Sequence, residues 1–215
     1  MNLAAQLREG AAELGNALSD LQVRQLLDYL ALIQKWNGVY NLTAVRDPQE
    51  MLTHHLLDSL AVVAPLRRQT QGAAARLLDV GSGAGLPGVV LALCCPELQV
   101  DCVDAVAKKA AFIQQVAVQL QQANLRGVHA RVETLPGPYD VICSRAFSSL
   151  ADFVAGSKAA LAPQGVWLAM KGKAPTEEIA ALPDAIDVFH VEQLQVPGLV
   201  AQRCIAWLRM RRAGP

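Results

Sequence analysis

Gly81, Gly83, Gly85 and Gly88 fall within eight positions, directly after the aliphatic-rich run RLLDV. A strand that breaks into glycines and then turns helical brings backbone close to a cofactor, because no Cβ stands in the way. Three cofactor chemistries compete for this pattern. A nucleoside triphosphate is disfavoured, because no GK[ST] closes the glycine run and no lysine there reaches a phosphate. A dinucleotide fits better, since Gly83, Gly85 and Gly88 spell GxGxxG and Asp104 ends the next expected strand, where a ribose-binding acid belongs. Against it stand Leu86-Pro87 inside the turn and Asp79 ahead of it.

S-adenosylmethionine (SAM) uses every feature. Gly81 and Gly83 admit the methionyl part, the helix after Pro87 offers unpaired N–H groups to its carboxylate, and Asp104 accepts from both ribose hydroxyls. Val132 and Glu133, read as the end of the third strand, lie where an adenine would sit. Each has a plainer reading. Asp79 can cap the next helix, Asp104 can cap the one after it, Val132 can be core and Glu133 can face solvent.

The elements that must position these residues follow from periodicity. From Ala75 onward strands and helices alternate: RLLDV, PGVVLALCC, LQVDCVD, a long helix through AKKAAFIQQVAVQL, then GVHARVE, YDVICSRA, LADFVAGSKAALAP and GVWLAMKG. IDVFHVEQLQVP and AQRCIAWLRMRR read as a terminal antiparallel pair. The expected fold is α/β, a doubly wound Rossmann-like sheet of the class I SAM-dependent methyltransferase type, mostly parallel with an antiparallel terminal strand. Residues 1 to 70 read as an N-terminal helical cap and 71 to 215 as the methyltransferase domain, in one compact unit. In the cap, Leu21, Leu27, Leu30, Ile33 and Trp36 give one helix its apolar face, with Ser19 or Asp20 as N-cap, and NGVYNLT ends it. Asp47-Pro48 starts another helix, and RRQTQGAAA reads as the joining segment.

The chain has 215 residues, 53% of them hydrophobic and 18% charged, enough for a buried core and too apolar for disorder. No apolar run is long enough to span a bilayer, and the N-terminal stretch lacks a secretory h-region, so a cytoplasmic protein is expected. Five cysteines without a CxxC pair suggest reduced, buried thiols and no metal centre. Net charge is zero, so any RNA contact must be local.

WNGVYNLTAVRDPQEML, HHLLDSL, LLDVGSGAGLPG, YDVICSRAF, MKGK and LQVPGL together resemble the bacterial 16S rRNA guanine-N7 methyltransferase G family, also called glucose-inhibited division protein B, over nearly the whole length. That resemblance implies methyl transfer from SAM to N7 of one guanine in the decoding-site loop of 16S rRNA. It also implies SAM contacts at Gly81, Leu86, Val132, Glu133 and Arg145, to which the glycine-loop argument adds Gly83 and Asp104. His54 departs from relatives beside the matching His55. A methyltransferase for a small molecule or protein, and a SAM-binding module without turnover, remain as alternatives.

Guanine N7 already holds a free lone pair at neutral pH, so alignment and water exclusion matter more than acid/base groups. No catalytic acid or base is expected, and Cys143, ending an apolar strand, reads as a buried thiol rather than a nucleophile. Arg145, leaving the fourth strand beside the cleft, is the candidate for positioning cofactor or guanine. Phe147 stacks on the base or packs on a helix. Lys171 and Lys173 are candidates for RNA phosphate, and Asn41, His54 and His55 for closure over the site. Arg67, Arg68 and the terminal RMRR are further phosphate candidates. The partner is 16S rRNA or the small ribosomal subunit, without a membrane, and the expected state is a monomer.

Overall fold

The computed structural model describes residues 2–211, so Arg212 of the basic RMRR cluster lies outside the described residues. Five parallel strands carry the cleft: β1 (Ala75–Val80), β2 (Leu98–Asp104), β3 (Leu125–His129), β4 (Tyr139–Arg145) and β5 (Leu161–Lys171). With β6 (Ile186–Leu194) and β7 (Arg203–Met210) they form one sheet of order β3-β2-β1-β4-β5-β7-β6. β7 runs antiparallel to both β5 and β6, so the last strand is inserted between its two neighbours. The chain order reverses between β1 and β4, the switch point at which doubly wound sheets open a crevice beyond their carboxyl ends.

Helices α6 (Gly88–Cys94), α7 (Ala107–Gln119), α8 (Leu150–Ser157) and α9 (Thr176–Ala180) link the strands. The third strand is shorter than its apolar letters suggest. β3 stops at His129, and Val132–Thr134 form a 3-10 turn beyond it. Val132 and Glu133 are therefore displayed by a turn and not by a strand end.

The N-terminal helices are α1 (Leu3–Glu13), α2 (Asp20–Tyr40), α3 (Pro48–Met51), α4 (Asp58–Leu60) and α5 (Val63–Thr70). Ser19 is the N-cap of α2 in a full capping box with Gln22. Starting there, α2 buries Val23, Leu26, Tyr29, Leu30 and Ile33, while Leu21 is 55% exposed, which corrects the expected face. The helix also runs through Asn37 and Gly38. It ends at Asn41, whose φ of 51° is the left-handed stop, and Asn37 folds its side chain onto both backbone groups of Thr43 at 2.9 Å. Asp47 caps α3 as expected, accepting from Gln49 and Glu50. The expected linker RRQT is instead the last turn of α5, closed by left-handed Gln71.

Between α3 and α4 the helix widens into a π segment, Leu52–Leu57. A π bulge shifts the register of a helix face, and such bulges are frequent at functional sites. Here it buries His55 together with Asp58, three positions on, against the sheet.

One apolar cluster fills the side of the sheet where these helices lie. It joins Leu7, Leu26 and Ile33 to Val89, Ile113 and Trp207. The opposite side is packed by Leu78, Ile142, Phe153 and Trp167.

Candidate active site

The turn after β1 is built by local sterics. Gly81 and Gly83 adopt φ of 66° and 58°, which side chains rarely tolerate. Gly81 N–H donates to the Val103 carbonyl at 2.9 Å, and Ser82 Oγ donates to the Asp79 carbonyl at 2.8 Å, tying the turn to β1 and β2. A Cβ placed on Gly81 would meet no protein atom within 4 Å and would project into open space.

Beside that turn lies a cavity of about 320 Å³, lined by Gly81, Val103, Asp104, Val132, Glu133 and Phe147 among others. Its size falls at the low end of small-molecule sites, about 300–1,000 Å³. Asp104 is 7% exposed at its edge. Its Oδ2 accepts from Gly83 N–H at 3.0 Å and its Oδ1 from Val106 N–H at 2.8 Å. Two backbone donors thus fix the carboxylate, and each oxygen keeps acceptor capacity for a diol. Apolar Val103, Val132 and Phe147 supply walls suited to an aromatic ring. These residues fit SAM: a backbone cradle, a fixed ribose acceptor and an apolar slot.

Two expected features stand differently. At the start of α6 two donors are already engaged: Gly88 N–H donates to Asp79 Oδ2 at 2.9 Å and Val89 N–H to the Gly85 carbonyl at 2.7 Å. Asp79 is fully buried below the first turn of α6 and consumes that donor, as its capping alternative anticipates. Leu86 is 3% exposed, with its side chain in the core cluster rather than on the cavity wall.

A second cavity of about 410 Å³ adjoins through the segment that follows β4. Phe147 lines the first cavity, whereas Arg145 and Ala146 line the second with His54, His55, Asp58, Lys171 and Arg203. Arg145 is not the unattached arginine its position at a strand end suggests. Its Nη1 donates to the His54 carbonyl at 2.8 Å and to Asp58 Oδ2 at 3.1 Å. Arg203 Nε donates to the other oxygen, Asp58 Oδ1, at 2.8 Å. Asp58, only 1% exposed, therefore bridges two arginines from β4 and β7. Lys171 Nζ pairs with Glu178 at 2.8 Å.

His55 lines this second chamber, with Nε2 2.9 Å from Thr43 Oγ1 and Nδ1 buried without a hydrogen-bond partner among the described residues. Burial lowers its pKa to about 4, so it is neutral at physiological pH. Asn41 is exposed and lines neither chamber, and Lys173 is exposed. Phe147 packs against Phe153 with centroids 5.6 Å apart. Arg67 donates to the Cys94 carbonyl, Arg68 pairs with Glu192 and Arg209 with Asp187, and all three side chains remain partly exposed. Cys143 is fully buried and burial pushes its thiol well above its ordinary value, which leaves it protonated. Among the described residues no group of three or more His, Cys, Asp or Glu side chains converges as for a metal ion.

Asp58, Arg203 and Tyr29 were not singled out by sequence reasoning. Asp58 had a signal, lying three residues after His55 in HHLLDSL. Arg203 opens a strand like any solvated arginine.

The sheet order, the switch-point cavity and the Asp104 anchor define a class I SAM-dependent methyltransferase. NodS, an N-methyltransferase from Bradyrhizobium japonicum WM9 solved with S-adenosylhomocysteine, is similar at TM-score 0.57 and 13% identity, over 83% of this chain and 100% of that one. A ribosomal protein L11 methylase from Lactobacillus delbrueckii subsp. bulgaricus is similar at 0.56 and 11%, over 72% and 79%. Such distant likenesses establish the fold. Residues 22–206 match the family described as rRNA small subunit methyltransferase G, and the chain belongs to that family. It is 69% identical to the ribosomal RNA small subunit methyltransferase G of Acidovorax ebreus (strain TPSY), over 97% of this chain and 96% of the relative. The same enzyme of Albidiferax ferrireducens is 68% identical, over 96% and 97%.

Proposed function

We propose that this chain transfers a methyl group from SAM to N7 of one guanine in the decoding-site loop of 16S rRNA. The observation that carries the reading is the pair of adjoining chambers divided by three consecutive residues, Arg145, Ala146 and Phe147. In this reading Gly81, Gly83 and Leu86 belong to the turn that holds the cofactor. Asp104 takes its ribose, Val132 and Glu133 its adenine, and Arg145, on the second chamber two residues before Phe147, approaches the cofactor from the guanine side. When bound, SAM supplies an activated methyl group on its sulfonium.

The chain's own work is then binding, orientation and exclusion of water. Guanine N7 has its lone pair available, so no side chain must first remove a proton. A cation pressed on N7 would oppose the positive charge that develops on the purine. Asp58 holds the Arg145 guanidinium at 3.1 Å, which suits that requirement. Lys171 is left to meet phosphate, while His55 and Asn41 shape the side of the site formed by the N-terminal helices. N7 is inaccessible in the deep, narrow major groove of A-form RNA, so the target nucleotide must be unpaired or splayed out.

We place residues 1 to 70 as the helical part that supports the site and 71 to 215 as the part that carries the chemistry, acting as a cytoplasmic monomer. No helix among the described residues is long and apolar enough to cross a membrane. The test is to map modified nucleotides in rRNA from cells with and without the gene. Loss of a single N7-methylguanosine from 16S rRNA is expected; an unchanged rRNA alongside a lost metabolite methylation would overturn the reading.

A further inference from the structure

Tyr29 lies on α2, far from the cofactor turn in sequence, and is fully buried in the core cluster. Its hydroxyl donates to the carbonyl of Ala84 at 2.7 Å. Ala84 sits in the middle of the turn over residues 81–87, itself 4% exposed. The first half of that turn is tied to the sheet through Gly81, Ser82 and Gly83, by way of Val103, Asp79 and Asp104. In the second half, Gly85 and Leu86 N–H both return to the Ser82 carbonyl, inside the turn. Its Gly85 and Pro87 carbonyls accept from Val89 and Leu91 N–H in the adjoining α6, and the Tyr29 hydroxyl ties this half to α2.

Tyr29 is also one of a set. Gln22 Nε2 donates to the Leu93 carbonyl in the last turn of α6, and Gln25 Nε2 to the Leu120 carbonyl at the end of α7. Positions 22, 25 and 29 share a face of a helix. Along one stripe, α2 thus grips the carboxyl ends of two helices and the cofactor turn. Phenylalanine would keep the ring in the core at position 29, but only the tyrosine hydroxyl reaches the carbonyl. Burial pushes the phenol well above its ordinary value, so the donor stays protonated across the working range.

We propose that Tyr29 is a positioning residue for cofactor binding, its hydroxyl fixing the Ala84 peptide and hence the turn that walls the SAM cleft. This rests on the assignment of the Gly81–Asp104 cavity as that cleft. Tyr29→Phe keeps the ring and removes the donor, leaving a buried carbonyl unpaired. S-adenosylhomocysteine affinity by calorimetry should fall roughly 3- to 30-fold, the KM for SAM should rise in step, and kcat at saturating SAM and the KM for RNA should stay within about twofold.

The comparison is Tyr139→Phe, which removes another buried hydroxyl, donated to Asp101 at 2.7 Å near the start of β4. That variant should melt earlier yet bind S-adenosylhomocysteine as wild type does. Unchanged affinity in folded Tyr29→Phe, or equal loss in both variants, would overturn the inference. Hydrogen exchange on wild type gives a second readout. Ligand should protect the α2 segment around Tyr29 together with residues 81–87, and protection confined to the turn would overturn it. Failure of wild type to bind S-adenosylhomocysteine would refute the cleft assignment itself.

Discussion

Two buried residues beside the site titrate in opposite senses. Asp79 lies between Cys102 and Cys143 in the sheet register, and their thiols approach its oxygens at 4.0 and 3.8 Å. Burial raises its carboxyl from 3.8 to about 7, against the opposing Gly88 N–H and the Arg145 charge. A carboxyl raised in the fold releases its proton later than in the unfolded chain, so its contribution to stability declines as pH rises from about 4 to about 7. His55, lowered from 6.5 to about 4, does the reverse: the unfolded chain takes up the proton first, and stability grows with pH between those values. Urea unfolding across pH should separate the two. The stability of Asp79→Asn relative to wild type should climb through the Asp79 window at up to about 1.4 kcal/mol per pH unit. That of His55→Asn should decline between pH 4 and 6.5. Parallel profiles for both variants would contradict these assignments.

At the scale of elements, the junction of β1, β2 and α6 leaves no slack. A Cβ on Gly88 would lie 2.3 Å from Cys102 Sγ and 2.8 Å from Asp79 Oδ2. Gly88→Ala should therefore cost about 1–3 kcal/mol through overpacking, visible as a lower Tm. Adding Cys102→Ala removes the nearest clash and should recover part of that loss, a non-additivity that a double-mutant cycle measures. Strict additivity would mean that α6 shifts bodily instead. The placement of α6 was legible from the glycines, since a positive φ and a close helix approach each demand glycine locally. The π segment Leu52–Leu57 was not, because nothing in LTHHLL distinguishes a widened turn from an α turn until His55 and Asp58 both need to face inward. Nor was the end of β3, where apolar letters continue past the last paired residue.

For the whole molecule, zero net charge sets how RNA is held. The chamber beside the cofactor cleft offers Arg145, Lys171 and Arg203, each already facing Asp58 or Glu178. Even with all three on phosphate, the salt dependence for single-stranded RNA, log K against log salt, would reach only about −2. Anisotropy titrations with a decoding-loop RNA should find a slope that shallow, with selectivity coming from the fit of the chamber. A slope of about −5 or steeper would require a basic surface elsewhere.

The sequence by itself determined the alternation of strands and helices from Ala75, the glycine turn, the acid ending β2 and the caps at Ser19 and Asp47. Each is a local matter of sterics, periodicity or a hydrogen bond to a near neighbour, and is written in consecutive letters. Tertiary structure alone decided that β7 enters between β5 and β6, that Arg145 meets Asp58 87 residues away, and that Tyr29 reaches Ala84 across 55. Those partners are chosen by which side chains the packed layers bring within hydrogen-bond reach, and no spacing along the chain records that choice.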